Sequence, residues 1–183
     1  MSIAVLPQVS AWSIDPAHSL AEFKVRHMMV TNVKGRFSGI SGSLHLNPAD
    51  ITASRVEASI AAASIDTREP QRDTHLKSAD FFDVEKFPTL TFQSTRVART
   101  PDGELAVTGD LAMHGVTRSV VFAVENLSQP AKDPWGNLRI GLSATARINR
   151  KDFGMTFNAA LETGGVLVGD EVTINLEVEF IQA

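Results

Sequence analysis

The chain has 183 residues, a formal net charge of −4 and no cysteine. A single domain of that length buries on the order of 70% of its unfolded surface, so it needs neither disulfides nor a structural metal, and the missing thiols exclude thiolate metal sites and cysteine nucleophiles. Lys and Arg are scattered along the sequence, which predicts no electrostatic footprint for nucleic acid or an anionic membrane surface, and no apolar run reaches the ~20 residues of a membrane-spanning helix.

The start, Met1–Ser10, lacks a basic stretch and a long apolar centre, so it does not read as a signal peptide. Cytoplasmic location is the expectation, periplasmic the alternative where a leader has been removed. One domain is expected over 1–183, with its core at about 12–180, because period-two alternation of apolar and polar residues recurs from end to end. In chain order the alternating runs are Ala11–Ile14, Ser19–Val30, Val33–Leu46, Ser54–Ile65, Thr89–Val97, Glu104–Met113, Val116–Asn126, Leu138–Asn149 and Glu171–Phe180. Strands with one buried face and little helix predict an all-β, eight-stranded antiparallel barrel, lipocalin-like, whose closure removes exposed edges. Gly35, Gly39 and Gly42 suggest bending or a bulge. His114-Gly115, Asp102-Gly103 and Gly169-Asp170 read as hairpin turns.

Between Thr67 and Ala79 lies the one convincing helix. Asp66 or Thr67 can cap it, Pro70 suits its first turn, and Asp73 with Lys77 forms an i,i+4 pair. About ten residues are marginal alone, so the segment is expected to dock through an amphipathic face and close one barrel end, with Leu76, Phe81 and Phe82 turned inward.

Inward parity then names a candidate channel lining of Phe23, Val25, Ile60, Phe92, Val107, Leu111, Phe122, Leu142, Ile148 and Leu176. Ala and Gly are common among inward positions. They either open a cavity or make room for Phe23, Phe92 and Phe122 in a filled core. The stretch Phe153–Val168 is long for a connection, carries Phe157 and a Gly164-Gly165 hinge, and reads as either a portal lid or a packed arm. His18, Arg72, His75, Asp83 and Arg150 flank apolar runs as head-group or barrel-end polar candidates. The five histidines are dispersed, so no metal is expected; no serine-hydrolase elbow, phosphate loop or dinucleotide fingerprint appears.

The block RDTHLKSADFFDVEKFPTLTF, Arg72 to Phe92, closely resembles the signature of the YceI-like family. So do WSIDPAHSLAEFKVRH, with Asp15, His18, Ser19, Phe23 and His27, the Lys34–Phe37 element, the hairpin around His114 and the Asn149–Met155 loop. The resemblance implies a lipocalin-like barrel around an elongated apolar channel that holds a polyisoprenoid tail, as of an isoprenoid quinone, and a protein that often pairs as a homodimer. It points to a nonenzymatic carrier with no cofactor beyond its lipid, no nucleic-acid partner and no stable membrane insertion. The alternatives are an enzyme on an isoprenoid-like substrate using His18, His75 or Asp83, and an interaction module with a filled core.

Overall fold

In a computed structural model the chain is described from residue 9 to residue 183. The segment read for a leader, Met1–Ser10, falls almost wholly outside the described residues. Twelve strands follow: β1 (Ser10–Ile14), β2 (Leu20–His27), β3 (Thr31–Phe37), β4 (Ile40–Leu46), β5 (Arg55–Ala61), β6 (Ile65–Asp66), β7 (Thr89–Arg99), β8 (Leu105–Met113), β9 (Val116–Leu127), β10 (Ala131–Lys132), β11 (Leu138–Asn149) and β12 (Val168–Gln182), with one α-helix, α1 (Pro70–Lys77), between β6 and β7.

Hydrogen bonding runs in the order β11, β9, β8, β7, β5, β4, β1, β12, and β12 returns to β11, closing an eight-stranded antiparallel barrel. The long β12 holds both β1 and β2 along one edge, pairing Phe180 with Ile14 and Ile174 with Phe23. A 3₁₀ turn at Pro16–His18, capped by the Asp15 carboxylate on the Ala17 amide at 3.0 Å, separates those two strands.

Two runs that alternation leaves continuous are broken in the fold, and both breaks have one cause. Val33–Leu46 divides into β3 and β4 at Ser38-Gly39, and Ser54–Ile65 into β5 and β6 at a 3₁₀ turn over Ala62–Ser64. The Ser64 hydroxyl accepts from the Gly39 amide at 3.0 Å, so the neighbouring strands kink together. His114 and Gly115 do form the tight β8–β9 turn, with φ of 54° and 72° between the paired Met113 and Val116. Asp102 and Gly103 lie in the β7–β8 loop, with Gly103 at φ 85°. Gly169-Asp170 is no hairpin: it lies within β12, where register with β2 shifts between Val168 and Val172. There the carbonyls of Val168 and Gly169 leave the ladder and accept from the Arg150 guanidinium at 3.2 and 2.8 Å.

α1 starts at Glu69, whose carboxylate caps the Gln71 and Arg72 amides at 3.2 and 2.6 Å. The expected caps are displaced because Thr67 is buried and donates instead to Asp73, through its amide at 2.9 Å and its hydroxyl at 2.5 Å. Asp73 is therefore turned to Thr67 and makes no ion pair with Lys77. Nor is the helix itself amphipathic: Leu76 is the one large apolar residue of its eight. Its docking comes from the residues that follow, Phe81 and Phe82.

The core has two parts. One, around Phe37, Leu111, Phe122, Phe153 and Met155, fills the helix end; the other, around Trp12, Ile140 and Phe180, fills the far end.

Candidate functional site

The barrel encloses a cavity of about 370 Å³ with almost wholly apolar walls. Alternation sets the lining, since every second side chain of each strand faces inward. Phe23, Val25, Ile60, Phe92, Val107, Leu111, Phe122, Leu142, Ile148 and Leu176 all border it, and so does Phe157 from the loop after β11. Met113, inward by the parity of its strand, also borders it, and so do Phe37, Met155 and Leu167, which are outside the candidate lining. Phe37 and Met113 follow the parity of Val33-Gly35 and Leu111 and were findable that way. Met155 and Leu167 sit on irregular backbone, where no period signals orientation.

Small inward residues serve in two ways. A Cβ built on Gly35 would lie 2.3 Å from the Phe23 ring, and one on Gly109 would lie 2.4 Å from the Phe92 ring. These glycines therefore seat aromatic rings and do not enlarge the space. Ala58 and Ala144 border the cavity directly, so their shortness does widen it. At the far end Trp12, Ile140 and Phe180, 2%, 1% and 1% exposed, form the floor.

The other end is where α1, the Phe153–Val168 loop and the β2–β3 hairpin meet, and most of the polar lining residues are there: Arg26, His27, Arg72, His75 and Arg150. Leu76, Phe81 and Phe82 turn inward as expected. Phe81 is buried; His75 meets Phe81 and Phe157 edge-on with centroids 5.1 and 4.8 Å apart, and Phe82 meets Phe37 edge-on at 5.6 Å. The loop is both arm and rim: Phe153 and Met155 are buried, while Phe157 is half-buried at the opening.

The five polar candidates separate. Arg150, 3% exposed, has every guanidinium N–H engaged: Nε on the Gly169 carbonyl, Nη1 on those of Met155 and Phe157 at 2.8 Å each, and Nη2 on the Val168 carbonyl and the Asp170 carboxylate. Burial pulls its pKa below the ordinary value, with Asp170 acting against that. It braces backbone and has no donor left for a head group. Arg72 differs, because Nε and Nη2 hold Thr67 at 2.8 and 2.9 Å while Nη1 makes no hydrogen bond among the described residues. His75 pairs with Asp80 at 2.8 Å on its outer side.

Asp83 does not line the cavity. It sits in the turn after α1, at φ 46°, where its carbonyl accepts from the Lys86 and Phe87 amides at 3.0 and 2.8 Å and its carboxylate forms an ion pair with the Lys86 ammonium at 3.4 Å. His18 is likewise remote, in a polar network on the outside of the far end. There Arg139 donates to Asp15 and Asp133 at 2.8 Å and to Glu179, while His18 lies 2.8 Å from Asp15. The Arg139 hydrogen bond is the main cause holding the Asp15 carboxyl down at about 2, with His18 adding to it, and Arg139 likewise lowers Asp133. Asp15, His18 and Glu179 hold donor atoms within 4.8 Å of one another, as a metal would require. Arg139 already supplies the cation to both carboxylates, which makes the group an ion-pair network tying β1, β11 and β12 together.

The YceI-like domain model matches residues 12–180. The chain belongs to the YceI-like family. A UPF0312 protein of Vibrio cholerae is 37% identical to it over all of this chain and 93% of its own length. Among solved structures, the YceI protein of Campylobacter jejuni superimposes with a TM-score of 0.72 at 29% identity, covering 87% of this chain and 91% of that one. A polyisoprenoid binding domain from Saccharophagus degradans, implicated in plant cell wall breakdown, shares the fold at a TM-score of 0.66 and 16% identity, covering 96% of this chain and all of the other.

Proposed function

We propose that this YceI-like protein is a noncatalytic carrier of a long-chain apolar lipid, a polyisoprenoid or isoprenoid quinone, with the tail in the barrel and the polar head at the mouth beside Arg72 and His75. The carrying observation is the continuity of the lining: Val168 and Phe180, near opposite ends of β12, both border the one cavity. At ~3.3 Å per residue and a strand tilt of about 40°, that span is on the order of 30 Å along the axis. An elongated apolar tail lying along the barrel axis fits a lining of that kind. Each buried methylene contributes ~0.8 kcal/mol, enough over a few isoprene units to offset the cost of association. The polyisoprenoid-binding domain of Saccharophagus degradans supports the same reading by its fold.

Purification without detergent, then mass spectrometry under native and denaturing conditions, tests it. A copurifying lipid with a long unbranched or prenyl tail at near one per chain is the expected result. A lipid consumed or modified on incubation would make the protein an enzyme. Protein that is empty, and stays empty when offered prenyl lipids, would leave an interaction module.

A further inference from the structure

The hairpin joining β2 to β3 sits beside the mouth and has a composition unlike the rest of the surface. Its tip exposes three consecutive apolar residues, Met28 at 44%, Met29 at 56% and Val30 at 74%. The turn is closed by Val30 donating to the His27 carbonyl at 3.0 Å, and Met28 and Met29 have φ of 50° and 61°. Consecutive left-handed residues are the signature of a type I′ turn, where Asn and Gly are the residues favoured and methionine is disfavoured. Side chains poorly suited to both the backbone and the solvent are therefore held out at the tip. Met28 donates from its amide to the Leu167 carbonyl at 2.8 Å, which fixes the tip against the cavity rim.

Below the tip, the outer face is cationic. Lys24 and Lys34 stand directly opposite each other across the ladder, and Arg26 lies two pairs nearer the tip, opposite Asn32. A like-charge pair in direct register is unfavourable in isolation. Among the described residues, neither lysine nor Arg26 lies within ion-pair distance of a carboxylate. From Leu20 to Phe37 the hairpin has four Lys and Arg and one acid, Glu22, which lies at the end away from the tip opposite Arg36, itself paired with Asp66, in a chain of net charge −4. The neighbouring loop tip adds Val166, 37% exposed, and one acid, Glu162. The basic residues lie within thirteen positions of one another in sequence, and strand pairing brings Lys24 and Lys34 face to face.

An apolar wedge above Lys24, Lys34 and Arg26, three cations with no carboxylate partner among the described residues, is the chemistry of an anionic bilayer surface: methionine and valine enter the interface, and Lys and Arg meet the head groups. We infer that the β2–β3 hairpin docks the protein on anionic lipid bilayers, setting the channel mouth against the membrane from which a tail enters. This rests on the carrier reading and adds the donor surface to it. The docking inferred is peripheral, through the hairpin tip; no helix among the described residues is long and apolar enough to cross a membrane.

The test is flotation of the full chain with phosphatidylcholine vesicles, with and without phosphatidylglycerol, over a salt series. Binding that needs phosphatidylglycerol and weakens with salt is the expected result. The double variant M28N/M29G fits the turn better and removes the wedge, so it should keep or raise Tm while losing about tenfold or more in vesicle affinity. K24Q/K34Q should lose about 25-fold and flatten the salt dependence. Folded protein that ignores phosphatidylglycerol vesicles, or binding unchanged in M28N/M29G, would overturn the inference. So would a dimer in light scattering that M28N/M29G converts to monomer, which would give the tip to a second copy. Vesicle binding and lipid content are separate readouts. A loaded protein that ignores vesicles defeats docking alone, and a vesicle-bound protein that never takes up a tail defeats the carrier reading alone.

Discussion

Arg150 donates through Nη1 to the carbonyl oxygen of Phe157 at 2.8 Å, so an aromatic ring on the channel rim is anchored by a buried cation on the strand-end turn behind it. The same guanidinium holds Met155, Val168 and Gly169, and thereby both ends of the loop. Replacing Arg150 by Met removes this donor from the Met155, Phe157 and Gly169 carbonyls, while that of Val168 keeps the Asn158 side-chain amide at 2.8 Å. At about 1–3 kcal/mol for each orphaned buried group, partly relieved by entering water, a loss of roughly 3 kcal/mol or more is expected in chemical denaturation. Arg150→Lys should recover little, because an ammonium cannot reproduce a five-donor fork. Hydrogen exchange should show the loop from 155 to 168 losing protection first; uniform loss across the barrel would mean that the loop is not a separate unit.

Ala144 faces the cavity midway along β11, opposite Leu176, and is 5% exposed. Ala144→Trp should block the channel there, and Ala58→Trp should do the same from β5, each at about 1–3 kcal/mol of overpacking. Prenyl lipids of graded length, titrated against variants shown to be folded, give the measurement. The longest tails should lose affinity and the shortest should keep it. Equal affinity at all lengths would remove these positions from the site.

How far such a site can be read in advance depends on which order of interaction positions each residue. Alternation places a side chain on one face of a strand by local geometry alone, so Phe92, Val107 and Leu176 were assignable to the interior from sequence parity. Whether an interior glycine opens space depends on its neighbour across the ladder, and Gly109 proves to be filled by Phe92. The break at Gly39 depends on Ser64, twenty-five residues away. Arg150 looked like a polar candidate because its five partners are backbone carbonyls or an acid on other segments, invisible to any residue pattern. The basic residues of the β2–β3 hairpin are close in sequence, but only strand pairing sets Lys24 directly opposite Lys34.

Phe81 and Phe82 follow α1 and line the helix end of the cavity, Phe81 against Phe157 at 5.3 Å and Phe82 against Phe37. The helix carries only Leu76 as an apolar anchor of its own, so these rings provide most of its attachment. Substituting both by Ser should cost several kcal/mol, given about 3–5 for loss of one well-buried Phe. In variants still folded at low temperature, fluorescent-lipid release should quicken and the α1 amides exchange faster. Unchanged release would put the exit elsewhere, at the loop carrying Phe157.

At the far end, Arg139 binds Asp15, Asp133 and Glu179 together. Asp15 titrates at about 2 against an ordinary 3.8, and Asp133 is lowered too, the Arg139 hydrogen bond being the first cause in both. A carboxyl whose pKa is depressed by folding adds stability that is fully present above its unfolded value, near 4, and that disappears as pH falls through its folded value. Arg139→Met should let both carboxyls return towards their ordinary value. The Tm gap between wild type and variant is then expected to be largest from pH 5 upward and to narrow between pH 4 and pH 2. Carbon-detected NMR titration of Asp15 in the variant should show its midpoint rising. A gap that persists undiminished at pH 2 would mean that Arg139 acts through packing of its stem against β12, and that the charges of the network contribute nothing to holding the barrel floor.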